Sequence, residues 1–139
     1  MYKPKDFKYK KLHKKRIKNL YQPQSNKCTD LLIGDFALQA IQKGEITPNQ
    51  IESVRKTLSR EIKKYGKIWI RIFSTIVRTS KPAEVRMGKG KGNPDYWSCP
   101  IKPGQILFEI STTNFAIAPI LLKKVSVKLP ILTKILKFL

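Results

Sequence analysis

The binding chemistry this sequence offers is most concentrated in one stretch: Arg86-Met87-Gly88-Lys89-Gly90-Lys91-Gly92-Asn93. Glycine carries no Cβ, so Gly88, Gly90 and Gly92 can take φ > 0 and let another backbone approach closely. Lys89 and Lys91 alternate with them and Arg86 leads them in. Cations therefore stand beside backbone N–H groups in a segment that has no means of entering a core. Together these features make a surface for phosphates. The plainer alternative is a solvated connection between two strands, because a short motif of this kind has low specificity.

Two nucleotide motifs fail on these residues. A P-loop requires Ser or Thr after the Gly-Lys pair, but Gly90 follows Lys89 and Gly92 follows Lys91. A dinucleotide fingerprint needs Gly at its sixth position, which is Asn93 counted from Gly88 and Asp95 counted from Gly90. The rest of the chain offers little for catalysis. His13 is the single histidine, better suited to a backbone or phosphate contact, and no carboxylates cluster. Cys28 and Cys99 are far too distant for a CxxC site and read as free thiols of a reduced compartment. Neither an enzyme, a small-molecule substrate, a metal nor a cofactor is expected.

Charge decides the partner class. The 139 residues carry 29 Lys+Arg against 9 Asp+Glu, a net charge of +20, on a chain that is 41% hydrophobic. That composition supports one modest core, while self-repulsion on this scale disfavours a compact monomer without counter-charge. A polyanion follows, nucleic acid first and an anionic membrane second. The sequence holds no uncharged apolar run of 18 residues, so no membrane span is expected.

The elements that must position these charges can be read in order. Residues 1–27 form a basic arm in which Lys3, Lys5, Lys8, Lys10, Lys11, Lys14, Lys15, Arg16 and Lys18 accompany His13, with Tyr2, Phe7, Tyr9 and Leu12 interleaved. The arm is too polar to fold alone and should order on a polyanion. It has no apolar stretch resembling a secretory signal. Thr29 to Ile41 reads as a strand or bent strand pair with Gly34 as a bulge. Thr47-Pro48-Asn49-Gln50 opens a helix with a capping box and Pro at its first position. Ile51, Val54, Leu58, Ile62 and Tyr65 share one face of it, and Arg55, Lys56, Arg60, Lys63 and Lys64 share the other. Gly66 is expected as the residue that stops it. Lys67 to Phe73 alternates as a strand, with Arg71 on one face and Trp69 more plausible in the core than as a stacking platform. Ser74 to Asn93 reads as one long loop. Tyr96–Ile101 and Gln105–Ile110 are strands joined by a Lys102-Pro103-Gly104 reversal. A second helix should run from about Phe115, with Pro119 in its first turn and Pro130 as its stop. Residues 131–139 place Leu132, Ile135, Leu136 and Leu139 on one helical face as an amphipathic tail. Segregated helices and strands predict an α+β domain over residues 28–130, a mainly antiparallel sheet with two helices packed on it.

Several of these stretches occur in one order: I-T-x-x-Q-I-E from Ile46, G-K-I-W-I-R-I-F from Gly66, K-P-A-E-V-R-M-G-K-G-K-G-N from Lys81, then Y-W at Tyr96 and K-P-G-Q-I-L-F-E from Lys102. In this the chain resembles the L-sixteen family of large-subunit ribosomal proteins, in its bacterial and organellar form. The resemblance runs in weaker form from Lys3 to Pro130. It implies an α+β domain bound to large-subunit ribosomal RNA, with neighbouring ribosomal proteins and tRNA as further partners. It also implies that Arg86, Met87, Gly88, Lys89, Gly90, Lys91 and Gly92 form a tRNA-proximal loop which, with the basic arm, reaches toward the peptidyl-transferase centre. The arm cations with Arg55, Lys56, Arg60, Lys63, Lys64 and Arg71 are the candidate rRNA contacts.

The sequence departs from the family pattern in three places. Residues 22–34 lack the usual glycine-rich character, Pro119 enters the second helix, and the tail after Pro130 is helix-patterned where the family more often has a strand. Lysine outnumbers arginine 23 to 6 and isoleucine occurs 17 times, the bias of an AT-rich genome. With the resemblance beginning near residue 1, a mitochondrial ribosome and an organellar gene are expected, a plastid or a bacterial cytoplasm being the alternatives. The competing functional class is a basic amphipathic protein on anionic membranes, resting on the tail; a membrane is not the expected partner.

Overall fold

The computed structural model describes Pro4, residues 8–13 and residues 28–137. Seven strands and two helices follow one another as β1 (Phe36–Ala40), β2 (Gly44–Ile46), α1 (Pro48–Ile62), β3 (Gly66–Ile70), β4 (Ile76–Ser80), β5 (Asn93–Ile101), β6 (Ile106–Thr112), α2 (Ile117–Ser126) and β7 (Thr133–Lys137). The class is α+β, and every strand pair is antiparallel. The strands form two sheets where the sequence pattern indicated one. A four-stranded sheet has the order β3-β6-β1-β7 and a three-stranded sheet the order β2-β5-β4. The reversal at Lys102–Gly104 carries the chain from one to the other, with Gly104 at φ +83°.

The core lies where the helices meet the larger sheet. Register puts Phe36 and Leu38 of β1, Phe108 and Ile110 of β6, and Ile68 and Ile70 of β3 on one face. These residues join Ile51, Val54, Leu58 and Ile62 of α1 and Ala118, Leu121, Leu122 and Val125 of α2 in a single cluster. The helix start is as the sequence indicates: the Thr47 N–H donates to Gln50 Oε1 at 2.9 Å while the Gln50 N–H donates to Thr47 Oγ1 at 3.4 Å. Two orphan N–H groups are thereby satisfied, worth about 1 kcal/mol.

Five local expectations need correction. Within Thr29–Ile41 only Phe36–Ala40 is strand; the Ile33 and Gly34 N–H groups donate to the Glu109 carboxylate instead of a ladder, and a Cβ on Gly34 would stand 2.8 Å from the Ile110 carbonyl oxygen. Gly66 does not stop α1; the helix ends at Ile62 with a right-handed cap at Lys63, and Gly66 begins β3. Its lack of a side chain serves close pairing, since a Cβ would lie 1.9 Å from the Ser111 carbonyl oxygen. The region 74–93 is not all loop, for Ile76–Ser80 pairs with Asn93–Ser98 as β4. The first-turn position of Pro119 is as expected, but α2 ends at Ser126. Beyond it the Lys128 and Leu129 N–H groups reach back only three residues, to Val125 and Ser126, which turns the chain so that Leu129 and Ile131 are buried. Lastly, residues 133–137 are a strand, not a helical tail. Leu38 pairs with Ile135 and Ala37 with Leu136, so β1 supplies the hydrogen-bond ladder that a nine-residue helix would have had to make alone.

Candidate nucleic-acid interface

The glycine-lysine stretch sits at the tip of the β4–β5 hairpin, in residues 81–92. Three consecutive residues there have left-handed backbones: Gly88 at φ +108°, Lys89 at +52° and Gly90 at +87°. A Cβ on Gly88 or Gly90 would meet nothing within 4 Å, so these two glycines serve backbone shape and open space. Gly92 has no positive φ; a Cβ there would lie 2.3 Å from the Ser80 carbonyl oxygen, and its role is to close the hairpin. Arg86, Met87, Lys89 and Lys91 are exposed, Met87 completely. The Lys81 ammonium, which sequence reasoning passed over, donates to the Gly88 carbonyl and ties the base of the tip to its turn.

A second element shapes the hairpin. Arg78 on β4 forms a bidentate ion pair with Glu45 on β2, its Nε 2.9 Å from Oε2. β5 runs between these two strands, so the pair straps the edge strands across it.

The described part of the arm lies against the hairpin. Lys91 Nζ donates to the Leu12 carbonyl, and Lys11 Nζ donates to the Lys91 carbonyl at 3.1 Å. Leu12, His13, Arg78, Lys91 and Tyr96 line an open cleft of about 800 Å³ between arm and hairpin, with Asp95 as the acid among its lining residues. Lys8, Lys10, Lys11 and His13 are exposed, and Lys8 Nζ sits 5.6 Å from the centre of the Tyr9 ring. Lys3, Lys5, Lys14, Lys15, Arg16 and Lys18 lie outside the described residues. Arm and loop, nearly eighty positions apart in sequence, thus share one cationic face.

The α1 candidates separate. Arg55 pairs bidentately with Glu52, at 2.6 and 2.9 Å, and holds that half-exposed carboxyl below its ordinary range. Arg55 and Lys63 border the recess toward β3, whereas Lys56 and Arg60 point toward α2. Lys64 is exposed in the turn that follows. Arg71 is not at a surface open to RNA. Its side chain is 15% exposed and its Nη1 lies 2.5 Å from Oε1 of Glu109, which is fully buried. The other carboxylate oxygen accepts the Ile33 and Gly34 N–H groups at 3.0 and 3.1 Å. A guanidinium compensating a buried carboxylate is structural, and Arg71 leaves the candidate set. Its position in an alternating strand gave no sign of this, because the partner is 38 residues away. Trp69 is half-buried.

Among the described residues the exposed chemistry is therefore cationic and non-catalytic, carried by a hairpin tip, an arm clasped to it and two strips on α1. That defines a basic α+β protein whose surface suits a polyanion. Residues 4–136 match the family described as Ribosomal protein L16p/L10e, and the chain belongs to that family. A large ribosomal subunit protein uL16c from Cyanidioschyzon merolae is 45% identical over 136 residues, 98% of this chain and 92% of that one. Large ribosomal subunit proteins uL16 from Pelagibacter ubique and Wigglesworthia glossinidia brevipalpis are 46% and 47% identical, covering 99% and 96% of this chain and 98% and 94% of theirs. The chain is a ribosomal protein and not an enzyme.

Proposed function

We propose that this protein is a constituent of the large ribosomal subunit that binds large-subunit rRNA and holds the 86–92 hairpin tip near tRNA, close to the peptidyl-transferase centre. The observation that carries this reading is the tip itself. Three successive left-handed residues, two of them glycines in open space, present Arg86, Lys89 and Lys91 away from the core. Nothing in folding the domain calls for that arrangement, and close approach of a phosphate backbone does. The arm clasped at Lys91 extends the same face, and the +20 charge requires a polyanion. Neighbouring ribosomal proteins are further partners. The names of these relatives favour a plastid or bacterial ribosome; they give the mitochondrial expectation no specific support. The membrane alternative loses its basis, since the tail is strand β7, and no described helix is long and apolar enough to cross a membrane.

The test is to assemble Gly90→Val and Arg86→Ala into large subunits and measure tRNA affinity and peptide-bond formation beside a melting curve of the free protein. The branched side chain meets no neighbour but strains a φ of +87°, so stability should fall by about 1–3 kcal/mol through the local backbone alone, with the core intact. Arg86→Ala removes a planar fork that lysine or alanine cannot replace on a phosphate. Both subunits should assemble and bind tRNA poorly. Normal tRNA binding in both would reduce the tip to a linker.

A further inference from the structure

The groove between the two helices, on a different part of the surface from the hairpin tip, carries four cations that no motif singles out as a set. Lys56 and Arg60 lie four residues apart on α1 and form one wall; Lys124 on α2 and Lys128 just beyond it, also four apart, form the other. All four are exposed, and the groove has a volume of about 290 Å³. One carboxylate lines it, Glu61, which sits 2.8 Å from Lys124 Nζ and is held below its ordinary range by that hydrogen bond. Lys128 Nζ lies 2.6 Å from Thr57 Oγ1, a neutral acceptor that leaves the ammonium charge uncompensated.

Cations at helix C-termini are favoured by the macrodipole, and this accounts for a basic residue at the end of each helix. It does not account for two walls whose four cations converge with only two carboxylates beside them, Glu61 on Lys124 and Glu52 at 4.0 Å from Lys56 Nζ. Their mutual repulsion is relieved by an anion lying in the groove. The contacts to Glu61 and Thr57 also hold the two lysine side chains across the groove before any ligand arrives, which lowers the ordering cost of binding. A linear anion with evenly spaced charges fits a trough of this form better than an isolated ion.

We infer that the α1–α2 groove grips the sugar-phosphate backbone of RNA, with Lys124 and Lys128 as contacts beside Lys56 and Arg60. This rests on the rRNA-binding reading above and adds a second site to it. Contacts of this type fix orientation and carry no sequence information, so the groove anchors the domain while the hairpin tip is directed elsewhere.

The experiment compares full-length protein with Lys124→Gln/Lys128→Gln and with a charge-matched control, Lys134→Gln/Lys137→Gln on β7. Binding to a large-subunit rRNA transcript is titrated across a salt series, and each protein is melted. Each phosphate contact contributes roughly 0.7 to 0.9 to the slope of log K against log salt, so the groove variant should lose about 1.5 from the wild-type slope, and the control should keep it. A groove variant with the wild-type slope and a lower melting temperature would show that the lysines are only struts between helices, and an equal loss in the control would show an effect of bulk charge alone. Either result overturns the inference while the wild-type slope stays steep. A wild-type slope near zero would overturn the rRNA-binding reading along with it.

Discussion

Replacing Arg71 by methionine tests whether that residue belongs to the fold or to the RNA surface. Glu109 is fully buried in β6, an inner strand of the four-stranded sheet, and its carboxylate receives Arg71 Nη1 at 2.5 Å and two backbone N–H groups at 3.0 and 3.1 Å. Arg71→Met removes the only partner among these that carries charge. Breaking a buried pair by deleting one member costs about 3–5 kcal/mol. The two N–H donors remain and Arg71 keeps a 15% opening to solvent, so the low end applies, about 3 kcal/mol. For a domain of this size that corresponds to a fall of roughly 10 °C in Tm. Glu109→Gln keeps the shape and one acceptor but turns an amide N–H₂ toward the guanidinium, and should cost about 2–3 kcal/mol. In urea unfolding the double variant should be less destabilised than the sum by at least about 1 kcal/mol, because each single change already destroys the pair. Well below the melting point, Arg71→Met should bind rRNA with the wild-type affinity and salt slope. Changes that add within about 0.5 kcal/mol, or a stable Arg71→Met that binds RNA with a shallower slope, would put Arg71 among the RNA contacts instead.

The glycines and thiols give sharper contrasts. Gly66→Ala must push β3 from β6, because the Ser111 carbonyl oxygen would lie 1.9 Å from the new Cβ, and should cost about 3 kcal/mol, the upper end for overpacking; Gly88→Ala meets no atom and should cost only the strain of a side chain at φ +108°, about 1–2 kcal/mol, as a pair of melting curves will show. Burial pushes the Cys99 thiol up to about 11, so native protein treated with N-ethylmaleimide near neutral pH should take one adduct, at Cys28, and two after unfolding. The same shift has a pH consequence. Since the folded thiol holds its proton to a higher pH than the unfolded one, stability attributable to Cys99 is present below about pH 9 and is lost as pH rises toward 11; Cys99→Ala should flatten the decline in urea midpoint over that interval relative to wild type.

Local signals carried much of the fold. The capping box at Thr47 and Gln50, the 3- and 4-residue spacing from Ile51 to Ile62, and the reversal at Gly104 depend on residues close in sequence, and the structure has all three. What sequence reasoning missed depends on distant pairing. β4 is a short edge strand with a polar second half, and Pro94 belongs to a strand only because β2 pairs no further along β5 than Cys99, leaving one side of Pro94 without a ladder to break. The tail has the period of a helix, yet β1 offers it a ready ladder, and tertiary pairing outweighs the local pattern over five residues. The hairpin tip was legible because glycine and lysine mean the same thing in any fold. Arg71 was not, since a basic residue in a strand looks identical whether it meets a phosphate or a buried Glu109. Lys124 and Lys128 were passed over in the sequence, and the wall opposite them appears only once α1 and α2 are side by side.

The hairpin tip is proposed to face tRNA, and that proximity can be measured directly. Met87 is fully exposed at the tip, so Met87→Cys in a Cys28→Ser background places a reactive thiol there, while Cys99 stays buried and protonated. Coupling an iron chelate to that thiol, assembling the protein into large subunits, loading tRNA and generating hydroxyl radicals should cut the bound tRNA, with the same chelate on β7 at Lys134→Cys leaving the tRNA intact. Scission confined to rRNA, with tRNA bound and uncut from position 87, would contradict the claim.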